Sequence, residues 1–141
     1  YYKNDDLSQR LYNDEGFLIS DLFCRIDENR KFYFEDHVRW LLRAGDELIG
    51  SKRIERILEA HPSVSSCLVV AIPNKRLRIH AVVELQDESV CEQDIVEYVN
   101  EKVKKRRVEL SSVTVLSQLP RTASGLLSKH EAFSVVQKLF S

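Results

Sequence analysis

Two apolar runs, Val64 to Ile72 and Ile79 to Leu85, constrain this chain more than any other feature. Each is the length of a buried strand and far too short to cross a membrane as a helix. Pro73-Asn74 stops the first run, and the stretch to Arg78 that separates the two is rich in turn formers. On either side the apolar spacing changes to a helical one. Ser51 stands as an N-cap before Ile54, Ile57 and Leu58, which share one helix face, and His61-Pro62 ends that helix. Ile95, Val96, Val99 and Val103 line a second amphipathic helix, Val113 to Leu116 reads as a third core strand, and Phe133, Val136 and Leu139 or Phe140 line a last helix. The order after residue 50 is therefore helix, strand, strand, helix, strand, helix. This predicts an α+β fold with a small mixed sheet of about three strands and helices packed on it. A short β extension precedes it: Phe17-Leu18-Ile19, Leu22-Phe23-Cys24 and Phe32-Tyr33-Phe34, with the polar turn Asp27 to Lys31 suggesting a hairpin.

Composition excludes several classes of function. The 141 residues, 43% hydrophobic, suit one globular domain with a short extension, and a net charge of -1 gives no global attraction for nucleic acid or anionic membrane. Lys104-Lys105-Arg106-Arg107 is read as a solvated helix C-terminus whose cations oppose the helix dipole, since no aromatic residue is interleaved with it. The four histidines share no ligand spacing with each other or with Cys24, Cys67 and Cys91, so no metal site is expected. The scattered cysteines suit a reducing compartment, and an intracellular, cytoplasmic location is expected. The chain has no Met at all, so it is expected to be a piece of a longer protein.

The stretch Pro120-Arg121-Thr122-Ala123-Ser124-Gly125-Leu126 is similar to the closing motif of the adenylate-forming enzymes: acyl- and aryl-CoA synthetases, insect luciferases and peptide-synthetase adenylation domains. The likeness runs along most of the chain. Tyr1-Tyr2-Lys3-Asn4 looks like the element that closes their large N-terminal domain. Glu15-Gly16-Phe17-Leu18-Ile19-Ser20-Asp21 resembles Asp-Gly-Trp-x-x-Thr-Gly-Asp, and Tyr33 to Arg39 resembles the hinge between their two domains. Arg43-Ala44-Gly45-Asp46-Glu47-Leu48-Ile49 is similar to their mobile Lys-x-Gly-Gly-Glu-x-Ile loop. Arg53-Ile54-Glu55, His61-Pro62-x-Val64 and Val69 to Asn74 follow in the family's order. No one of these segments is specific; their common order and gaps are.

The resemblance implies a division into residues 1–35, the tail of the large AMP-binding domain, and residues 36–141, a small mobile C-terminal domain. It implies ATP/AMP with Mg2+ and coenzyme A as ligands, bound mainly by the large domain, which is then the chain's first partner. The other is a small carboxylic acid substrate. A carboxylate attacks the α-phosphate of ATP to give an acyl-adenylate, and a thiol then displaces AMP. Asp21 is implied to hold the ribose hydroxyls, which a carboxylate can accept in pairs. His37 stands where the family uses Arg at the nucleotide, and Arg39 marks the hinge pivot. Arg43, Gly45, Asp46 and Glu47 belong to the loop of the thioester step. Asp46 replaces a glycine there, which adds bulk and charge.

One departure matters most. Leu126 occupies the position of the family's catalytic Lys, which steadies charge developing at the α-phosphate; leucine has neither charge nor donor. Lys129, three residues on, points from a different place and is not expected to replace it. Leu127 is expected to pack into the core, and the plain alternative for Leu126 is the same. Two functions remain open: the mobile domain of a CoA synthetase-like ligase, or a non-catalytic descendant kept for nucleotide sensing or protein contacts. In either case the chain alone is expected to be inactive.

Overall fold

The structure is a computed structural model, and it describes residues 11–44, 47–72, 78–87, 89–104 and 108–140. The chain divides into two compact units with the break between Arg39 and Trp40. The first contains the antiparallel pair β1 (Leu22–Ile26) and β2 (Phe32–His37). Its turn is built by Asp27, whose Oδ1 accepts from the backbone N–H of Asn29 and of Lys31, each at 2.9 Å, while Tyr33 donates its hydroxyl to Oδ2 at 2.9 Å. The expected hairpin is therefore present, but among the described residues Phe17 to Ile19 contribute only one isolated bridge, Tyr12 to Leu18.

The second unit holds the remaining elements. They are β3 (Leu41–Ala44), β4 (Glu47–Gly50), α1 (Ser51–Glu59), β5 (Val64–Ile72), β6 (Arg78–Leu85), α2 (Glu92–Val103), β7 (Leu110–Val115) and α3 (Lys129–Leu139). β3 and β4 form an antiparallel pair. In the main sheet β6 is central, antiparallel to β5 and parallel to β7 across the α2 crossover. The mixed sheet and its packed helices are those the sequence predicts, and β5 has the predicted ends.

Helices cover both faces of this sheet, which is why β5 and β6 are nearly continuous apolar runs. Cys67 and Val69 of β5, with Ile79, Ala81 and Val83 of β6, join Ile54 and Leu58 of α1 and Ile95, Val99 and Val103 of α2 in one core. The alternate residues Leu68, Val70, Ile72 and Val82 pack with Ala132 and Val136 of α3 and with Leu119 in a second. Burial pushes the Cys67 thiol pKa up, as suits a small core hydrophobe. His80, only 1% exposed, lies on the α3 face of β6. Its ring nitrogens pair with Ser112 Oγ at 2.6 Å and Thr114 Oγ1 at 3.0 Å, and burial holds its pKa below the ordinary value.

Helix side chains bond the backbone at both edges of the sheet. Asn100 of α2 exchanges two bonds with the Leu110 backbone, and Glu92 accepts from Val115 N at 3.1 Å, so β7 is bonded at both ends. On the other edge Glu55 Oε1 accepts from Val69 N at 2.9 Å. Such bonds take backbone groups out of a template for pairing with other chains.

Three expectations need correction. Gly50, not Ser51, is the N-cap of α1; Ser51 is the first helical residue, fully buried, and its hydroxyl accepts from Lys129. The segment read as a loop around Gly45 is flanked by paired strands, with Leu42 and Ile49 buried. On α3, Phe133 and Val136 pack in the second core as expected and Phe140 meets His80, but Ala132, fully buried, joins them unforeseen and Leu139 is 59% exposed.

Lys129 Nζ also lies 2.7 Å from Glu55 Oε1 and over the Trp40 ring at 5.8 Å. Both charged side chains are nearly buried, at 12% and 11% exposure, so removing one partner strands the other. Lys129→Met is expected to cost about 3 kcal/mol, and adding Glu55→Gln, whose amide oxygen can still accept from Val69 N, to recover most of that loss. Urea unfolding of the single and double variants checks this; equal losses in both would show that the two charges are not coupled.

Candidate functional site

The described site residues fall in three places, one in the first unit and two in the second, on the β3–β4 pair and on the hairpin before α3. In the second unit the motif from Pro120 to Ser128 is a tight hairpin whose ends are fixed inside the molecule. Leu119 is 1% exposed, Leu127 packs against the second core, and Ser128, itself buried, caps α3 through Glu131 N. The two arms are joined by Ser128 N to Pro120 O at 2.8 Å and by a bridge between Arg121 and Leu127. Thr122 N donates to Leu126 O at 2.7 Å and Gly125 N to Thr122 O at 2.8 Å, with Gly125 at φ +83°. This is a three-residue loop that needs a left-handed residue to close, hence the glycine.

The same turn occurs in the first unit. Gly16 N donates to Asn13 O and Asn13 N to Phe17 O, both at 2.9 Å, with Gly16 at φ +82°. Two glycines that the sequence offers only as motif letters thus have one conformational cause.

Successive residues of a hairpin arm face opposite ways, so burying Leu127 turns Leu126 outward. Leu126 is 69% exposed. The alternative of a core role for it is overturned, whereas Leu127 packs as expected. Arg121, a spacer in the motif, reaches across the loop: its Nη1 donates to Gly125 O at 3.0 Å. That carbonyl belongs to the peptide joining Gly125 to Leu126. Thr122 and Ser124 pair their hydroxyls at 2.9 Å on the same exposed loop.

The first unit brings together three residues that the sequence assigns to separate tasks. Arg39 Nη2 lies 2.8 Å from Asp21 Oδ2 and His37 Nδ1 3.2 Å from Asp21 Oδ1. Val38 N also donates to the Asp21 backbone carbonyl at 2.7 Å, which holds the segment after β2 against the start of β1. Of the thioester-loop residues, Arg43 is exposed on β3, and the Glu47 backbone opens β4 opposite Ala44. Gly45 and Asp46 lie outside the described residues, as do Tyr1 to Asn4, Pro73-Asn74 and Lys105 to Arg107. Among the described residues no group of His, Cys, Asp or Glu could hold a metal ion, and no helix is long and apolar enough to cross a membrane.

The Arg39 guanidinium, and after it His37, hold the Asp21 carboxyl below its ordinary value of 3.8. A depressed carboxyl adds stability above its unfolded pKa and loses it as pH falls through the lower folded value. The pair therefore stays intact at neutral pH and opens only in acid. Carbon-detected titration of the Asp21 carboxyl is expected to give a midpoint below 3.8, rising toward it in Arg39→Gln. An unchanged midpoint in that variant would remove Arg39 as the cause.

Known proteins place this geometry. Residues 53–126, 74 of the 141, match the family described as AMP-binding enzyme C-terminal domain. The chain is 27% identical over 133 residues to the medium-chain fatty-acid–CoA ligase of Escherichia coli, covering 92% of this chain and 24% of that protein. It is 28% identical over 134 residues to a probable acyl-activating enzyme of Arabidopsis thaliana, again 92% of this chain and 24% of the relative. The chain thus spans about a quarter of the length of these curated relatives. Among solved structures, ATP-bound MatB from Rhodopseudomonas palustris superimposes with a TM-score of 0.85 at 20% identity, over all of this chain and 28% of that one. The o-succinylbenzoate coenzyme A synthetase of Bacillus subtilis in complex with AMP gives 0.75 at 25% identity, over 90% and 26%. With more than half of its residues inside the family match, the chain belongs to the family of AMP-binding enzyme C-terminal domains.

Proposed function

We propose that this chain is the mobile domain of a ligase that activates a carboxylic acid with ATP and Mg2+ and passes the acyl group to coenzyme A. The observation that carries the proposal is the hairpin at Pro120 to Ser128. Its position 126 is held out to solvent by internal bonds and a left-handed glycine, a geometry that suits delivery of a side chain to a partner surface. Residues 1–35 are then the tail of the large domain and residues 36–141 the small one. The break between compact units after Arg39 supports a boundary close by.

An exposed apolar surface on the first unit supports a missing large domain as its partner. Phe17 is 66% exposed, Leu18 62% and Phe32 73%, more apolar surface than a β-hairpin leaves to water without a use for it. In the activating step a carboxylate oxygen forms a bond to the α-phosphorus, and the bond to the bridging oxygen breaks. Pyrophosphate leaves with that electron pair. Asp21 accepts the ribose hydroxyls, His37 donates nearby, and Arg39 pivots. Arg43 and Glu47, with Gly45 and Asp46, attend the thioester step.

The test uses the full-length parent with two separate readouts. Pyrophosphate release is measured with Mg-ATP across fatty and aromatic acids, and thioester formation from supplied acyl-adenylate and coenzyme A. The parent is expected to perform both, and the isolated chain to stay at the no-enzyme level. A folded parent inert in both assays would overturn the ligase reading in favour of a non-catalytic domain.

A further inference from the structure

The loop that lost its lysine still carries a cation. Between Pro120 and Ser128 the only charged residue is Arg121. Its guanidinium is anchored at 3.0 Å to the carbonyl of the peptide that bears Leu126. The contact uses one of its N–H groups, and the remaining donors make no bond among the described residues. Arg121 is exposed, as is every residue from it to Leu126.

The other nearby cation is spent. Lys129 is 12% exposed, paired with Glu55 at 2.7 Å and bonded to Ser51, so releasing it to a ligand would strand a buried carboxylate.

We propose that Arg121 is a catalytic residue of the activating step, giving to the α-phosphate and the attacking carboxylate the positive charge that Leu126 cannot. The proposal rests on the ligase reading above. Three properties suit the guanidinium to it. It stays charged at any working pH, and its planar fork can hold two oxygens at once. Its bond to Gly125 O brings the guanidinium to the peptide that bears Leu126 although Arg121 pairs with Leu127 across the hairpin, so part of its orientation is set before the substrate arrives. As pyrophosphate departs, negative charge grows on the phosphoryl oxygens, and the guanidinium N–H groups meet it; no proton is transferred and arginine ends the step unchanged.

The experiment compares the full-length parent with Arg121→Gln, Arg121→Lys, Leu126→Lys and the double variant Arg121→Gln/Leu126→Lys. Each is assayed for pyrophosphate release and for thioester formation from supplied acyl-adenylate. Arg121→Gln is expected to lower kcat for pyrophosphate release about a hundredfold, the usual worth of one preorganised donor, and to leave the thioester step within about twofold. Arg121→Lys is expected to keep about a tenth of the rate or more, because charge is retained while the fork is lost. Leu126→Lys alone is expected to add little, yet to restore about a hundredfold in the Arg121→Gln background. The thioester assay serves as the control for folding. If Arg121→Gln leaves pyrophosphate release unchanged, or lowers both half-reactions together, the assignment of Arg121 fails while the ligase reading stands. If Leu126→Lys alone raises pyrophosphate release about a hundredfold, no cation was supplying that charge, and the assignment fails on that ground. A parent inert in both half-reactions overturns the ligase reading and Arg121 with it.

Discussion

The buried carboxylate of Glu55 ties this domain together. One oxygen accepts from the Val69 backbone at the edge of β5 and faces the Lys129 ammonium at the first residue of α3. A helix N-terminus disfavours a cation, so Lys129 is tolerable there only because that carboxylate answers it. The same ammonium bonds Ser51 at the start of α1 and lies over Trp40. A single ion pair thus fixes the start of α1, the start of α3 and the free edge of the sheet. Burying it costs desolvation, so its contribution is more to a unique arrangement than to net stability. That arrangement decides where the preceding loop can go. With α3 pinned at Lys129 and capped by Ser128, and with Leu119 and Leu127 seated in the second core, residues 121–126 have only solvent to enter.

Much of the fold was legible because the sheet is covered on both sides. A strand buried on two faces is apolar along most of its length, and β5 and β6 announce themselves in that way. α2 was equally plain, since Ile95, Val99 and Val103 repeat at helical spacing and all three are buried. The β3–β4 pair left no comparable trace. Each of its strands has four residues, and the burial of Leu42 and Ile49 gives no period to detect. α3 misled for a related reason. Its innermost residue besides Val136 is Ala132, fully buried, and a small side chain hides from a search for large apolar ones.

The candidate site was legible as a list and illegible as a geometry. Ser51 fits the rule for an N-cap in every local respect, yet its hydroxyl is taken by a lysine 78 residues away. Leu126 and Leu127 are chemically identical, and only the hairpin's alternation decides that one meets water and the other the core. Arg121 looks like a spacer until the turn closes and carries its guanidinium back to Gly125. Asp21, His37 and Arg39 were each visible through resemblance; that they bond one another was not, because the pairing depends on how the segment after β2 returns to β1.

That pairing bears on the pivot proposed at Arg39. Arg39, the last residue of the first unit, is held within it by Asp21. Trp40, the first residue of the second, is held within its own unit by Phe133 at 6.3 Å and by the Lys129 ammonium. If Arg39 is the pivot, as proposed, a rotation there falls on the few backbone dihedrals between two residues that are each secured to their own side, as in a hinge of one or two positions. Asp21 stands on both sides of the matter if it also takes the ribose hydroxyls, as proposed. Ribose would then bring neutral donors to oxygens that hold charged ones, and charge-assisted bonds are the stronger kind. A carboxylate has about four acceptor sites, so only a donor that ribose displaces from Asp21 must be offset by nucleotide contacts elsewhere. On the proposed reading, ribose and the Arg39 guanidinium share or compete for one carboxylate, and which of the two they do decides whether nucleotide binding loosens the Asp21–Arg39 pair.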